Sequence, residues 1–375
     1  MTYARSRLWL GISGVGLLVV IASTALSLGL PRRMLSGLSD LAAISVTLLC
    51  FVCISIPSDV LGGYCLPRQH NRTEIRPKTF FLGWIRGVLS QAFILGLCAT
   101  IILRAGRWGG EGAGIICFTL LMLILLAAQA LVARIVGNFS KVSQDRVGDL
   151  DREQSGQTPP SSILLSADPG FVGGLVGFPT AERLIVPGAW SRNLAPDMLA
   201  TELTRRKGAI VTGSRTRGLL VAIAWNLVGF ALAIRMPGAS VRDASGLVQS
   251  ALWFTLWSFV GLLTLPSINR PGVIEADRFA LRSGVSPEML RATISCLDHL
   301  QDDEPSRGRW IERIFHPIPS VEQRVAALSD VRSDIGAWQC ARVTLYLSWA
   351  CFGFLSRAVH CNAGRPDLWV LFPGD

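Results

Sequence analysis

Six apolar stretches in this chain are each long enough, or nearly so, to cross a lipid bilayer as a helix, and they leave it little freedom of fold. A helix needs about 20 mainly apolar residues to span about 30 Å of hydrocarbon. Inside lipid every backbone N–H and C=O must be satisfied within the protein, so helices are the default spanning element. The stretches are Leu8 to Leu30, Leu41 to Ser58, Thr79 to Leu103, Gly112 to Ala133, Gly218 to Ile234, and Leu247 to Ile268, the last ending near Pro266. Arg86 stands close enough to the end of the third to snorkel. A seventh apolar run, Val343 to Leu355, lies between Arg342 and Arg357. It is short for a crossing and reads as a span, an interfacial helix or a buried one. The first run is long for a cleaved signal and, with later spans behind it, reads as a retained anchor.

Composition agrees with a membrane protein. Half of the 375 residues are apolar, 17% are charged, and the mean hydropathy is +0.43. The net charge of +10 comes from 36 basic and 26 acidic residues, nearly all of the basic ones Arg. In a chain with long apolar runs such residues belong at span ends, facing anionic lipid, and no nucleic-acid partner is expected. Nine cysteines form no disulfide framework: Cys50, Cys53, Cys98, Cys117 and Cys351 sit within apolar runs, where a thiol acts as a small hydrophobe.

Basic residues in the short loops orient the chain. Arg5, Arg7, Arg68, Arg72, Arg76 and Lys78 fall on one side; Arg32, Arg33, Arg104, Arg107, Arg235 and Arg242 fall on the other. This places the N-terminus in the cytoplasm, with residues 134–217 and 269–337 on that same face, where they can form one domain. The expected architecture is mainly α and polytopic, with six or seven transmembrane helices and a small α+β domain on the cytoplasmic face. Its parts are a four-helix region (1–133), a linker with short strands and a helix (134–217), a transmembrane hairpin (218–268), a second half-domain (269–337) and an apolar C-terminal segment (338–375).

Within 134–217, a polar linker Asp149 to Ser162 precedes three strand-like pieces beginning at Ile163, Gly170 and Glu182. A helix follows from Ala195-Pro196 to about Thr212. Glu275 to Ser283, Ser286-Pro287 to about Leu300, and Ser320 to Leu328 read as further helices, with Ser320 and Gln323 spaced as a capping box.

This order resembles the integral-membrane zinc metallopeptidases of the HtpX and type I CAAX prenyl protease family. The pieces that carry the resemblance are Gly173-Gly174-Leu-Val-Gly-Phe-Pro, Glu182-Arg-Leu-Ile-Val-Pro, the transmembrane hairpin, Ala276-Asp277, and His316-Pro317 with Ser320-Val-Glu-Gln-Arg324. In that family an H-E-x-x-H helix supplies two zinc ligands and a general base, and a later Glu completes the set. The resemblance aligns Glu202-Leu203 with H-E-L-x-H. Thr201 and Arg205 then take the two His positions, Glu202 keeps the base position, and Val273 takes the third ligand position. Asp277 and Arg324 match supporting positions around the metal, and Gly173, Gly174, Leu175, Val176 and Gly177 match the strand that pairs with substrate. The resemblance therefore implies a degenerate member: no metal, a pseudopeptidase with a binding or regulatory role, and membrane lipid and a peptide or membrane protein as partners. The alternative is an active zinc endopeptidase with unconventional ligands, for which Cys296, His299 and His316 are candidates.

Guanidinium offers a metal no lone pair. Glu202 instead has basic residues one turn on, at Arg205 and Arg206, spaced for ion pairs. Arg205-Arg206-Lys207 is read either as a contact for an anionic partner or headgroup, or as a solvated helix face. Glu275 is assigned to a surface or intradomain ion pair, and Asp277 to helix packing.

Overall fold

The computed structural model describes residues 1–137, 139–141, 161–166, 168, 170–301, 303–329 and 335–371. Most of the expected linker, Asp149 to Ser162, falls outside them. Five helices are long and apolar enough to cross a membrane: α1 (Tyr3–Ser27), α3 (Asp40–Val60) continued through a π turn into α4 (Leu66–Gln69), α5 (Pro77–Ala127), and two further on that form a hairpin. A short α2 (Leu30–Leu35) joins the first two. Only 28–39% of each apolar window is buried inside the protein. Leu17, Leu49, Leu89 and Phe93 are among the side chains pointing outward. Apolar faces this extensive suit lipid and not water.

Two expected spans share one helix. A straight 51-residue helix would be about 76 Å long, far more than a bilayer, and α5 breaks at Gly109 and Gly110. Gly110 has φ +67° and ψ −154°, a conformation that essentially only glycine tolerates. The fourth expected run also stops early: α5 ends at Ala127, and α6 (Gln129–Val136) takes over. Arg86 reaches α6, donating to the carbonyls of Arg134 (2.6 Å) and Ile135 (3.0 Å) at its C-terminal end.

Strands β1 (Ser140–Lys141), β2 (Ser161–Leu165), β3 (Gly174–Val176) and β4 (Arg183–Pro187) form a sheet in the order β1-β2-β4-β3. β2 and β4 run parallel; the other pairs are antiparallel. After α7 (Trp190–Asn193) comes α8 (Pro196–Val211), with Pro196 in its first turn and Gly213 in the left-handed region just past its end. The hairpin is α9 (Ser214–Ala233) and α10 (Ala244–Arg282), with Trp225 stacked on Trp257 at 4.6 Å.

The end expected near Pro266 is corrected: α10 continues through Pro266 and Pro271 to Arg282, so the Glu275–Ser283 helix is its extension. A proline removes one helical hydrogen bond but does not force a stop where neighbouring protein supports the backbone. Here the extension packs closely against α8, and Ala337 N–H donates to the Ile268 carbonyl at 3.2 Å. Then follow α11 (Pro287–Gln301), α12 (Arg309–Phe315) and α13 (Val321–Ala327). The capping box is half realised. Ser320 Oγ accepts from Gln323 N–H at 3.4 Å, but Ser320 N–H donates to Glu312 at 2.6 Å.

The seventh run is a buried element. It forms α14 (Cys340–Leu347) and then 3₁₀ turns. Between residues 336 and 371, all except Arg342, His360 and Pro366 are buried. This segment is tied to the bundle by Asp59, which pairs with Arg357 and accepts from Trp84 Nε1 (3.0 Å) and Gly364 N–H (2.8 Å).

A second tie joins this segment to the strand region, where Arg365 pairs with Asp168. Burial alone would raise the Asp168 carboxyl, but the Arg365 guanidinium and the Gly170 N–H outweigh it and hold it below the usual carboxylate range. A carboxyl whose pKa is lowered on folding stabilises above its unfolded pKa of about 3.9 and loses that contribution as pH falls through its folded value. Thermal melts in detergent should therefore show wild type above Asp168→Asn at neutral pH, with the gap closing below about pH 4. A gap that does not change with pH would refute this role.

Candidate functional site

The site is built where α8, α10 and α13 meet the sheet. Three residues of one α8 face, Glu202, Arg205 and Arg206, are 0%, 1% and 1% exposed. Glu202 pairs with both arginines, with Arg206 Nε at 2.9 Å from its Oε1. Arg205 also reaches across to α10, where its Nε donates to Asp277 Oδ1 at 2.6 Å. Arg324 of α13 completes the Asp277 carboxylate, donating from Nε to Oδ2 (2.8 Å) and from Nη2 to Oδ1 (2.7 Å). Arg206 turns the other way. Its Nη2 donates to the Val172 carbonyl at 2.6 Å, and its guanidinium lies 4.7 Å from the Trp190 ring centre.

Three guanidiniums and two carboxylates thus form one buried chain, with Arg205 bridging Glu202 and Asp277. The expectation that Arg205-Arg206-Lys207 is either a solvated face or an exposed anion contact is corrected for its first two residues. Amphipathic spacing cannot reveal burial when the covering layer comes from residues 172–190 and 277. The expected pairing of Glu202 with Arg205 or Arg206 occurs with both. Glu275 pairs with Arg217 at 2.7 Å on the half-exposed side of α10.

Thr201 (3% exposed) and Val273 (0%) are buried in the same region, Val273 one turn before Asp277. These residues do not suit zinc. An alcohol, a fixed positive charge and hydrocarbon stand at the three positions that the resemblance assigns to ligands, and the guanidinium would repel a dication. The alternative donors do not converge either. His299 is 70% exposed and bonded to Asp303, whereas His316 is 4% exposed against His360. Among the described residues, no three His, Cys, Asp or Glu side chains are grouped to hold a metal.

The strand assigned to peptide pairing is at the edge of the sheet, as that role requires. Gly173 before it has φ +68°, and a Cβ there would fall 2.0 Å from the Ile185 carbonyl oxygen, so only glycine admits the turn. The Gly177 carbonyl accepts from Arg215 at 2.9 Å. Yet β3 is fully buried, and Gly173, Gly174 and Leu175 share a cavity of about 10 Å³ with Gln339, Val343, Tyr346 and Leu371 of the C-terminal segment.

Sequence reasoning missed two supports. Trp190 under Arg206 had no local signal. Glu312, 0% exposed, collects Ser320 (2.6 Å), Gln323 (2.7 Å) and Arg270 (3.3 Å), and only its place four residues before His316-Pro317 hinted at a role.

Fold and site together define a polytopic membrane protein in which two separated parts of the chain and a small sheet enclose a polar centre. Among solved structures, Ste24p of S. mikatae has a similar fold, with a TM-score of 0.65 over 84% of this chain and 81% of that one. The sequences are 13% identical, so the likeness is one of fold. No protein-family model and no curated protein sequence matches the chain.

Proposed function

We propose that this chain is a relative of the membrane metallopeptidases that has exchanged its metal centre for an internal ion network and works by binding instead of hydrolysis. The fold shared with Ste24p and the motif order of residues 163–330 support the relationship. One observation carries the loss of chemistry: the Arg205 guanidinium spans the gap between Glu202 and Asp277, so the centre already holds a cation of its own. Glu202, at the position of a general base, is committed to two arginines.

The binding element in this reading is β3. A peptide would pair with its outer edge by backbone hydrogen bonds, a mode that needs no catalytic residue. Because Gln339, Val343 and Tyr346 cover that edge, such a peptide must displace part of the C-terminal segment. The N-terminus and the domain around α8 are placed in the cytoplasm on the basic-loop bias, and the apolar faces in contact with membrane lipid.

Purified protein should contain far less than one zinc per chain by elemental analysis; a single tightly held zinc per chain would refute the proposal. The rival reading, an active peptidase using Glu202, His299 or His316, requires chelator-sensitive proteolysis that disappears when those residues are changed.

A further inference from the structure

Beside the ion network, on the far side of Arg324, a polar cavity of about 40 Å³ lies between α11, the turn at residues 316–321, the start of α1 and the C-terminal segment. About 10–15 Å³ of such space admits one water, so the cavity holds roughly three. That is the scale of a tetrahedral oxyanion and not of an organic metabolite. Its walls carry five arginines: Arg7, Arg307, Arg324, Arg342 and Arg365. Arg7, Arg324 and Arg365 are 3%, 4% and 7% exposed. Asp298 is the one carboxylate lining the cavity among the described residues.

The neighbouring carboxylates are divided among several of these arginines. Asp298 and Glu304 lie 3.5 Å from Arg307, Asp168 pairs with Arg365, and Asp277 divides itself between Arg324 and Arg205. Arg342 forms no ion pair among the described residues. Its Nη1 is directed to Cys361 Sγ, and its Nε is buried without a hydrogen-bond partner. A guanidinium cannot shed its proton to relieve this, and a buried N–H donor without an acceptor is costly.

We infer that this cavity is a binding site for a phosphate group, held by Arg342 together with Arg7 and Arg365. Phosphate carries between one and two negative charges near neutral pH and accepts the paired N–H donors of arginine. The group comes either from free phosphate or from the head of an anionic lipid. The inference does not depend on the loss of the metal site.

The test uses full-length protein purified in neutral, phosphate-free detergent. Titration with inorganic phosphate by calorimetry, and native mass spectrometry after exposure to vesicles containing phosphatidic acid, separate the two sources. One inorganic phosphate per chain assigns the site to free phosphate. One retained phosphatidic acid with no inorganic phosphate bound assigns it to lipid. In either case Arg342→Gln and Arg7→Gln should each weaken binding at least tenfold. Should both variants misfold, the ligand must instead protect Arg342 of the wild-type protein from phenylglyoxal. Wild type that binds neither ligand, or binding that leaves Arg342 unprotected or is indifferent to both substitutions, overturns the inference.

Discussion

Asp277→Asn is expected to destabilise the folded protein by about 3–5 kcal/mol, the range for removing one partner of a buried ion pair. The geometry sets this size. Oδ1 accepts from Arg205 and Arg324 and Oδ2 accepts from Arg324, so both oxygens face only N–H donors. An amide has one acceptor oxygen; its NH₂ would be pressed against a guanidinium whichever way it is flipped. Arg205 and Arg206 would then share Glu202, and Arg324 would lose the carboxylate it is paired with. Denaturant or thermal unfolding in detergent measures the loss, and Glu275→Gln on the same helix is the control. Glu275 is 21% exposed with a 35% exposed partner, and pairs of that kind contribute about 0–1 kcal/mol. If the two substitutions cost the same, the buried network is not what holds α8 to α10.

Parts of this site were legible in the sequence and parts were not, for a physical reason. Glu202 with Arg205 and Arg206 follows from helical spacing, because residues three and four apart share a face. The reach from Arg205 to Asp277 spans 72 residues and depends on how two helices cross, which no local pattern records. Asp277 could be singled out only through the resemblance around Ala276-Asp277. The same limit explains α10. Pro266 and Pro271 look like stops to a local reading, and contacts from residues 336–338 and α8 keep the helix going. Residues 343–355 were ambiguous because a mainly apolar run of 13 residues satisfies several environments; the buried Asp59–Arg357 pair decides among them, and it joins positions 298 apart. The apolar runs themselves were readable because lipid selects on length and composition, which are local properties.

Installing the ligands that the resemblance assigns tests the register from which the proposed function is drawn. The combined variant Thr201→His, Arg205→His and Val273→Glu is expected to take up one zinc per chain, and wild type none. Positions 201 and 205 lie one turn apart on α8, the spacing that lets two imidazoles share a metal. Position 273 lies one turn before Asp277 on the packed α10. Removing the Arg205 guanidinium also removes the charge that would repel the ion and frees volume for the larger side chain at position 273. Zinc supplied at about a thousand times its dissociation constant should then stabilise this variant by about 4 kcal/mol, and a chelator should reverse the gain. Arg205→His alone should bind no zinc, because two of the three ligand positions would still lack a strong donor. A triple variant that folds, as judged by its elution profile and melting transition, yet gains neither metal nor zinc-dependent stability would mean that α8 and α10 do not place positions 201, 205 and 273 around one point. The proposed exchange of a metal centre for Arg205 would then fail.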